Sequence, residues 1–558
     1  MFKQISAARN LRRKSLWPIW ALSVLFLGTL FFAGCEQPSG GGANTVIRID
    51  DATGLLIETV DDLKAIGKDS VSLTKTYVLG ANLELKDWTP ICNKDDPFSG
   101  SLNGGGYTIT LKSFDPSVVS ANTYLGIFGY VKGNGSVSAL IKNLKIVSEI
   151  NQSSTNTGGQ AIGVLAGFAE NTEFSNIALS GDFEFTTDKN TYFGGVVGYA
   201  QKGVSLTNST TSMTMKVDGG NGGGLIGGMY YNYAGGLVGA FKDGVEITAC
   251  HNTGDISADC TTTGSQVFCG GIAGGSYYTF TTVYQGKIED CSSTGNIIAK
   301  CKGFWSWAGG IAGCLVGDGD GTLEKTTRIV RCWASGTVSV KDTGAGFPYV
   351  GGIVGYNYYG ALVSQCYFTG AVIADKANDY TGGIAGYNSK NDGHNSRIED
   401  CWSGGTVTGF NNAGGIVGQN QVNTFVRRCY SIAFVKASGA GSTGVGGIAG
   451  MNASVEANAI SGCVALNPSI EAGNANNIHR IVGGGSSTQH SNNHAWSNMA
   501  VNPGSGTYTP DKTINGKDGA NCTEKKPGIE LYRDTLGWDF TTVWKWGTNG
   551  YPILQWQS

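Results

Sequence analysis

The chain has 558 residues, 88 of them glycine, more than twice the usual share of ~7%. Charged residues make up only 15% and prolines number 11 against 41% hydrophobics, which excludes a disordered low-complexity chain. A net charge of −3 leaves no basic face for nucleic acid, and five histidines leave little material for histidine catalysis or a zinc site.

The first 34 residues carry Lys3, Arg9, Arg12, Arg13 and Lys14 and no acid, followed by an apolar run from Leu16 to Ala33. A basic segment leading into an apolar one reads as a secretory signal. The run ends in Phe32-Ala33-Gly34-Cys35, which looks like a bacterial lipobox. Cleavage before Cys35 would leave that cysteine as the site of lipid attachment; an uncleaved membrane anchor is the alternative. Residues 35–51 then form a Gly/Ser-rich tether. Removal of residues 1–34 takes the net charge from −3 to −8, so the body would not seek anionic lipid, and the acyl group would make the membrane contact.

Residues 52–150 read as an amino-terminal cap with the first coils. Thr59-Val60-Asp61-Asp62 fits a capping box opening a short helix, with Val60, Leu63 and Ile66 on its apolar side. Alternating stretches follow at Thr76–Ile91 and Phe98–Leu111, separated by Gly and Asn turns.

Residues 151–485 repeat themselves. The string Gly-Gly-apolar-(Val/Ala)-Gly starts at Gly194, Gly235, Gly270, Gly309, Gly351, Gly382, Gly414 and Gly446, in steps of 31 to 42 residues, with degenerate copies near Leu125, Gly163 and Arg480. Each unit also carries a cysteine line, at Cys250, Cys291, Cys332, Cys366, Cys401, Cys429 and Cys463, with Asn176 and Asn208 read at the same place in earlier units. A turn and an alternating run follow, as in TGDIS and SGTVSV. Such units, with about three short strands each, cannot bury a face alone. Stacking them in register about 4.8 Å apart buries a continuous core. The expected fold is all-β: a right-handed parallel β-helix, or β-solenoid, of about ten coils, roughly 50 Å long, with caps at both ends. A propeller competes, but the units lack its Trp-Asp signature and vary in length. The paired glycines read as corners and places of close backbone approach.

The chain has 14 cysteines and no C-x-x-C pair, so zinc ribbons and thioredoxin-like chemistry are not expected. One cysteine per coil reads as an inert small-residue row in the core; disulfides among Cys260, Cys269, Cys301 and Cys314 are the alternative. Residues 486–558 break the period and end in an aromatic tail with Trp538, Trp544, Trp546 and Trp556. That suits a lid over the last coil, or a carbohydrate-stacking platform.

The FSGSLNGGGYTIT start, the GGIVGYN cores, the cysteine-turn-valine followers and the closing GYPILQW together resemble the GLUG-motif proteins, from about Tyr77 onward. The resemblance implies an exported, cell-surface β-solenoid and no single activity. Some relatives carry these repeats beside an IgA-cleaving metallopeptidase, which needs H-E-x-x-H. None of His251, His394, His479, His490 or His494 precedes a Glu, so that activity is not carried over.

No catalytic set is expected. The Asp pairs at 50–51, 61–62 and 95–96 lie in the amino-terminal part, away from a mid-rod groove. Asp318–Thr322 starts like a calcium loop, but its twelfth position is Ile329. The candidate binding surface is aromatic: Tyr277 and Tyr278, Trp305 and Trp307, and Tyr356, Tyr358 and Tyr359 follow the glycine corners at equivalent places. Stacked coils would bring them onto one side, where they either bind glycans or proteins or close the coil edges on each other. The expectation is a lipid-anchored surface module, adhesive or structural, with no cofactor, metal or nucleic-acid partner. A polysaccharide lyase or glycoside hydrolase and a plain spacer are the alternatives. The sequence places the protein in the outer membrane or at the cell surface.

Overall fold

The computed structural model describes residues 49–557, except 51–53, 157, 188–189, 220–229, 261–264, 277–285, 304, 318–325, 342–345, 391–393, 440, 474–476 and 486–488. Contacts divide the chain into Met1–Thr45 and Val46–Ser558. The second unit is a parallel β-solenoid.

A typical coil runs through five short strands rather than the three expected. In one coil they are Ser265–Gly270, Ala273–Ser276, Gly286–Glu289, Ser292–Ser293 and Ile297–Cys301. The first two belong to separate 11-stranded sheets that meet at the glycine corner, and the other three join one 36-stranded sheet. The sequence runs them together because the breaks are single-residue events. The corner splits one apparent strand, and a left-handed residue splits another.

The register is set by the corners. Gly194, Gly235, Gly270, Gly309, Gly351, Gly382, Gly414 and Gly446 pair one above the next despite the uneven steps. Each glycine of the motif is excluded from bearing a Cβ by backbone. At Gly414 a Cβ would strike the Val417 carbonyl, at Gly415 the Gly447 carbonyl one coil on, and at Gly418 the Thr381 amide one coil back. None of the three has the positive φ that favours glycine. The corner needs space, not unusual dihedrals, and this confirms close approach as the glycines' role.

The left-handed residue precedes the cysteine row. Asn143, Asn176, Asn208, Ala249, Asp290, Arg331, Gln365, Asp400, Arg428 and Asn492 all have φ between 50° and 55°, and Gly462 has 61°. This corrects the alignment of the early units by one position. Asn176 and Asn208 are in line with Ala249, and the cysteine place is taken by Ile177 and Ser209. Isolated asparagine and aspartate visit the left-handed region more readily than most residues. The stacked coils impose it on Ala249, Arg331, Gln365 and Arg428 as well.

The reversal carries the next amide out of the strand ladder, and the row residue supplies its partner. The amides of Cys250, Cys291 and Cys366 donate to the Sγ of Cys291, Cys332 and Cys401, each at 3.4 Å. At the ends Ile177 donates to Ser209 Oγ at 3.1 Å, and Cys463 to Asn493 Oδ1 at 2.9 Å. All seven cysteines are buried and free, as are the other described cysteines, with Cys92 only partly covered. Burial pushes the Cys332, Cys401 and Cys463 thiols up. The rest of the interior is stacked Ile, Val, Leu and Phe.

At the amino-terminal end the helix Val60–Lys64 opens with the Thr59–Asp62 capping box and buries Leu63. Ile49–Asp50 runs antiparallel to Gly54–Ile57 and covers that sheet edge. At the other end the Lys517 carbonyl accepts the Ile481 and Val482 amides at 2.9 and 3.0 Å, the place an isoleucine carbonyl takes between inner coils. Ala520–Cys522 then pairs in parallel with His494–Trp496 and covers part of the last coil, but the aromatic tail beyond it does not continue over that end. It doubles back along the side of the 36-stranded sheet, with Trp538 Nε1 donating to Gly462 O at 2.9 Å and Tyr430 Oη to Pro552 O at 2.7 Å.

Candidate functional site

Two aromatic rows lie outside the main core. The first follows the glycine corner, where neighbouring residues point to opposite sides. Phe193 and Ala200 enter the core, while Tyr192 and Tyr199 enter a second cluster with Tyr130, Phe168, Tyr233, Phe268, Trp307, Tyr356 and Tyr358. One ring rests on the next along the coils. Phe168 stacks on Tyr130 at 4.5 Å, Tyr233 on Phe268 at 4.4 Å, and Tyr349 on Tyr387 at 4.7 Å.

The sequence-selected residues fall in this row where they are described. Trp307 is 1% exposed, Tyr356 7% and Tyr358 8%, so these three rings are packing elements. Trp307 lies edge-on to Tyr356 at 4.6 Å, and Tyr356 is stacked on Tyr358 at 5.0 Å. Trp305 and Tyr359 are partly exposed. Trp305 stacks on Trp307 at 5.8 Å, and Tyr359 sits 5.9 Å from Tyr358 and 5.3 Å from His394. Tyr277 and Tyr278 lie outside the described residues, as do Cys35 and Asp318–Thr322.

Sequence reasoning did not extend the row to Tyr349, Tyr380 and Tyr387, all partly exposed. Burial pushes Tyr387 up to about 12 and also raises Tyr380, which Asp379 raises further. Asp379 is itself pushed up to about 6 by burial, although it accepts the Phe410 amide at 2.8 Å and the Thr381 hydroxyl at 2.7 Å. The phenols therefore stay neutral at physiological pH. What the row offers is stacking and neutral hydrogen bonding.

The second row was missed. Trp333, Tyr367, Trp402 and Tyr430 occupy one register place on successive coils. They stack nearly parallel, at 5.8, 4.9 and 5.6 Å. The signal was present in the residue just after each cysteine of Cys332, Cys366, Cys401 and Cys429. The tail covers this row. Trp556 stacks on Tyr367 at 5.5 Å, and Gln557 Oε1 accepts from Trp402 Nε1 at 3.0 Å. Trp538 and Trp544 are buried against it, leaving Trp546, 38% exposed, as the outward ring of the tail. Most of the tail's aromatic surface is thereby used within the chain.

Comparison with known proteins finds three similarities. The family model of the GLUG motif matches residues 348–373, which hold one glycine corner, the turn and the Cys366 rung. Halomucin from Haloquadratum walsbyi is 26% identical over 212 residues, 36% of this chain, and the chain spans 2% of that protein's length. A solved structure from Bacteroides ovatus, named as a candidate immunoglobulin A1 protease, is 17% identical, with 91% of this chain and 94% of that one covered at a TM-score of 0.24. That score is too low to support a structural argument. The chain thus carries a GLUG motif at residues 348–373, and the corner-turn-rung unit matched there recurs in register along the solenoid.

Proposed function

We propose that the protein is a lipid-anchored module of the bacterial cell surface that binds glycans or proteins without turning them over. The observation that carries this reading is the corner row. Trp305, Tyr349, Tyr359, Tyr380 and Tyr387 present partly exposed rings on successive coils, held from behind by fully packed rings. A rigid, repeated row of ring edges with neighbouring amides and hydroxyls suits stacking against sugars or side chains. The signal, the lipobox-like Phe32–Cys35 and the tether support display at a membrane surface.

The test uses the intact protein in detergent on a panel of glycans and matrix proteins, with retention and new reducing or unsaturated ends read together. Saturable retention without products is expected, weakened by Trp305→Ala and Tyr359→Ala, whose rings are accessible. Product formation would replace binding with catalysis. Loss of palmitate labelling in Cys35→Ser would place the lipid, and unchanged labelling would remove the anchor from the reading.

A second reading, a plain spacer, is favoured by the deep burial of Trp307, Tyr356 and Tyr358. Retention that survives both alanine variants would favour a different surface, and no retention at all would favour the spacer.

A further inference from the structure

The tail and the last coils together enclose an open depression of about 420 Å³, distinct from the corner row. Arg427 and Arg428 form one wall, with Gly462 and Leu536 beside them. Ser461 and Ser491 continue the floor in the following coils, Asn458 and Asn492 flank it, and Gly537 of the tail closes the far side. Among the described residues that line it there is no carboxylate.

The charge balance around Arg427 is uneven. Arg428 takes both nearby acids, with Nε 2.7 Å and Nη2 2.8 Å from Asp400 and Nη2 3.3 Å from Glu399. Trp544 Nε1 adds a further bond to Asp400 at 3.3 Å. Arg427 is left with Glu399 at 4.0 Å, the outer limit of an ion pair. Its guanidinium is instead held by the ring of Phe425, 3.9 Å from the centroid. Burial lowers its proton affinity, and Arg428 and Arg397 add to the effect. The group nonetheless stays charged, because guanidinium does not deprotonate in proteins. The result is a fixed cation, only partly matched, facing a recess of hydroxyls and amides.

We infer that this depression binds the anionic group of an acidic glycan, with Arg427 pairing the carboxylate or sulfate and Ser461, Ser491, Asn458 and Asn492 meeting the sugar hydroxyls. With Arg428 committed to Asp400, the Arg427 guanidinium offers a planar fork suited to one oxyanion. A densely charged polyphosphate would need several uncommitted cations, and the recess supplies one. A neutral sugar would leave the guanidinium only partly matched. Both serines and both asparagines can donate and accept, as a pyranose ring requires. The inference deepens the surface-binding reading by naming a ligand class, but it rests on a different site.

The experiment is calorimetric titration of the intact protein with oligogalacturonate, a sulfated galactan oligosaccharide and a neutral galactan oligosaccharide. At least one acidic probe should bind tenfold or more tightly than the neutral one, and the arm that succeeds identifies carboxylate or sulfate as the preferred group. Arg427→Gln should weaken that binding at least tenfold. Ser491→Asp, which places a negative charge in the recess, should do the same. Lys216→Gln, which removes an exposed lysine paired with Glu184, should leave it unchanged. Acidic probes binding no better than the neutral one, or an Arg427→Gln protein with unchanged melting and wild-type affinity, would overturn the inference. Trp305→Ala and Tyr359→Ala should leave acidic-probe binding intact, so failure of the corner row and failure of this site are told apart.

Discussion

His490 is the point at which acid should loosen the solenoid. It stands in a core row formed, coil by coil, by Ile247, Ile288, Ile329, Val363, Ile398, Val426 and Ile460. The imidazole is 3% exposed, and neither ring nitrogen has a hydrogen-bond partner. Burial, with Lys517 and His479 nearby, lowers its pKa from 6.5 to about 4. The native state therefore holds the neutral ring, while the unfolded chain takes up a proton once the pH drops below about 6.5. The stability contributed by keeping the ring neutral is fully present above that pH. It is lost as pH falls toward 4, where the native ring also protonates. At about 1.4 kcal/mol per pH unit the full loss is about 3 kcal/mol, of which about 2 kcal/mol has gone by pH 5. Restoring the row with His490→Ile should remove that loss. The assay is urea unfolding followed by tryptophan fluorescence at pH 8 and pH 5. Asp379, raised to about 6, works in the opposite direction, because its protonated form suits the native state. His494, lowered by burial, works in the same direction as His490. Both are common to the two proteins and cancel in the comparison. Equal pH dependence in wild type and His490→Ile would refute the reasoning.

Three further outcomes follow from the same packing. Gly415→Ala drives a Cβ into the Gly447 carbonyl and the Ser431 hydroxyl and should cost about 3 kcal/mol or more; Gly441→Ala, with nothing within 4 Å of the new atom, should stay within about 0.5 kcal/mol in the same melts. Trp538→Ala, which empties a site 2% exposed between the tail and Tyr430, should destabilise the tail by about 3–5 kcal/mol, read as faster proteolysis of residues 525–557. Peptide mapping under non-reducing conditions should recover the seven row cysteines as thiols that alkylate only after denaturation, and a disulfide between any two neighbouring rungs would contradict the free, hydrogen-bonded row.

The repeat was legible because its constraints are steric and act on every coil. No residue but glycine fits at Gly414 or Gly415, so the corner spells itself out along the chain. The cysteine row was visible for the same reason, but its cause was not. A cysteine in a list reads as an apolar filler, whereas in the fold its sulfur meets the amide displaced by the left-handed residue before it. That is why Ser209 and Asn493, which share little with cysteine except an acceptor, stand in the same row. It is also why Asn176 was read one place out: asparagine suits the left-handed position itself. The second aromatic row and the tail were hidden by distance. Trp402 and Gln557 are 155 residues apart, and no local period connects them.

The same geometry separates what the chain can vary from what it cannot. Between the first glycine of a corner and the strand after it, the spacing never changes: Gly270 to Ala273, Gly351 to Val354 and Gly446 to Ala449 are each three residues. The uneven steps are absorbed elsewhere. One place is before the 36-stranded sheet, where Ser276 is followed by Gly286 but Asn420 by Phe425. The other is before the corner strand, where Val340 leads to Phe347 but Gly409 to Asn412. Both fall between paired strands, where added length breaks no stacked pair and costs little loop entropy. Rungs and corners preserve the rod, so on the surface-binding reading proposed above a change of ligand would fall in the outward residues of the rows and in the tail. The partly exposed corner rings and the recess at Arg427 are of this kind: altering them touches no glycine of the corner and no cysteine of the row.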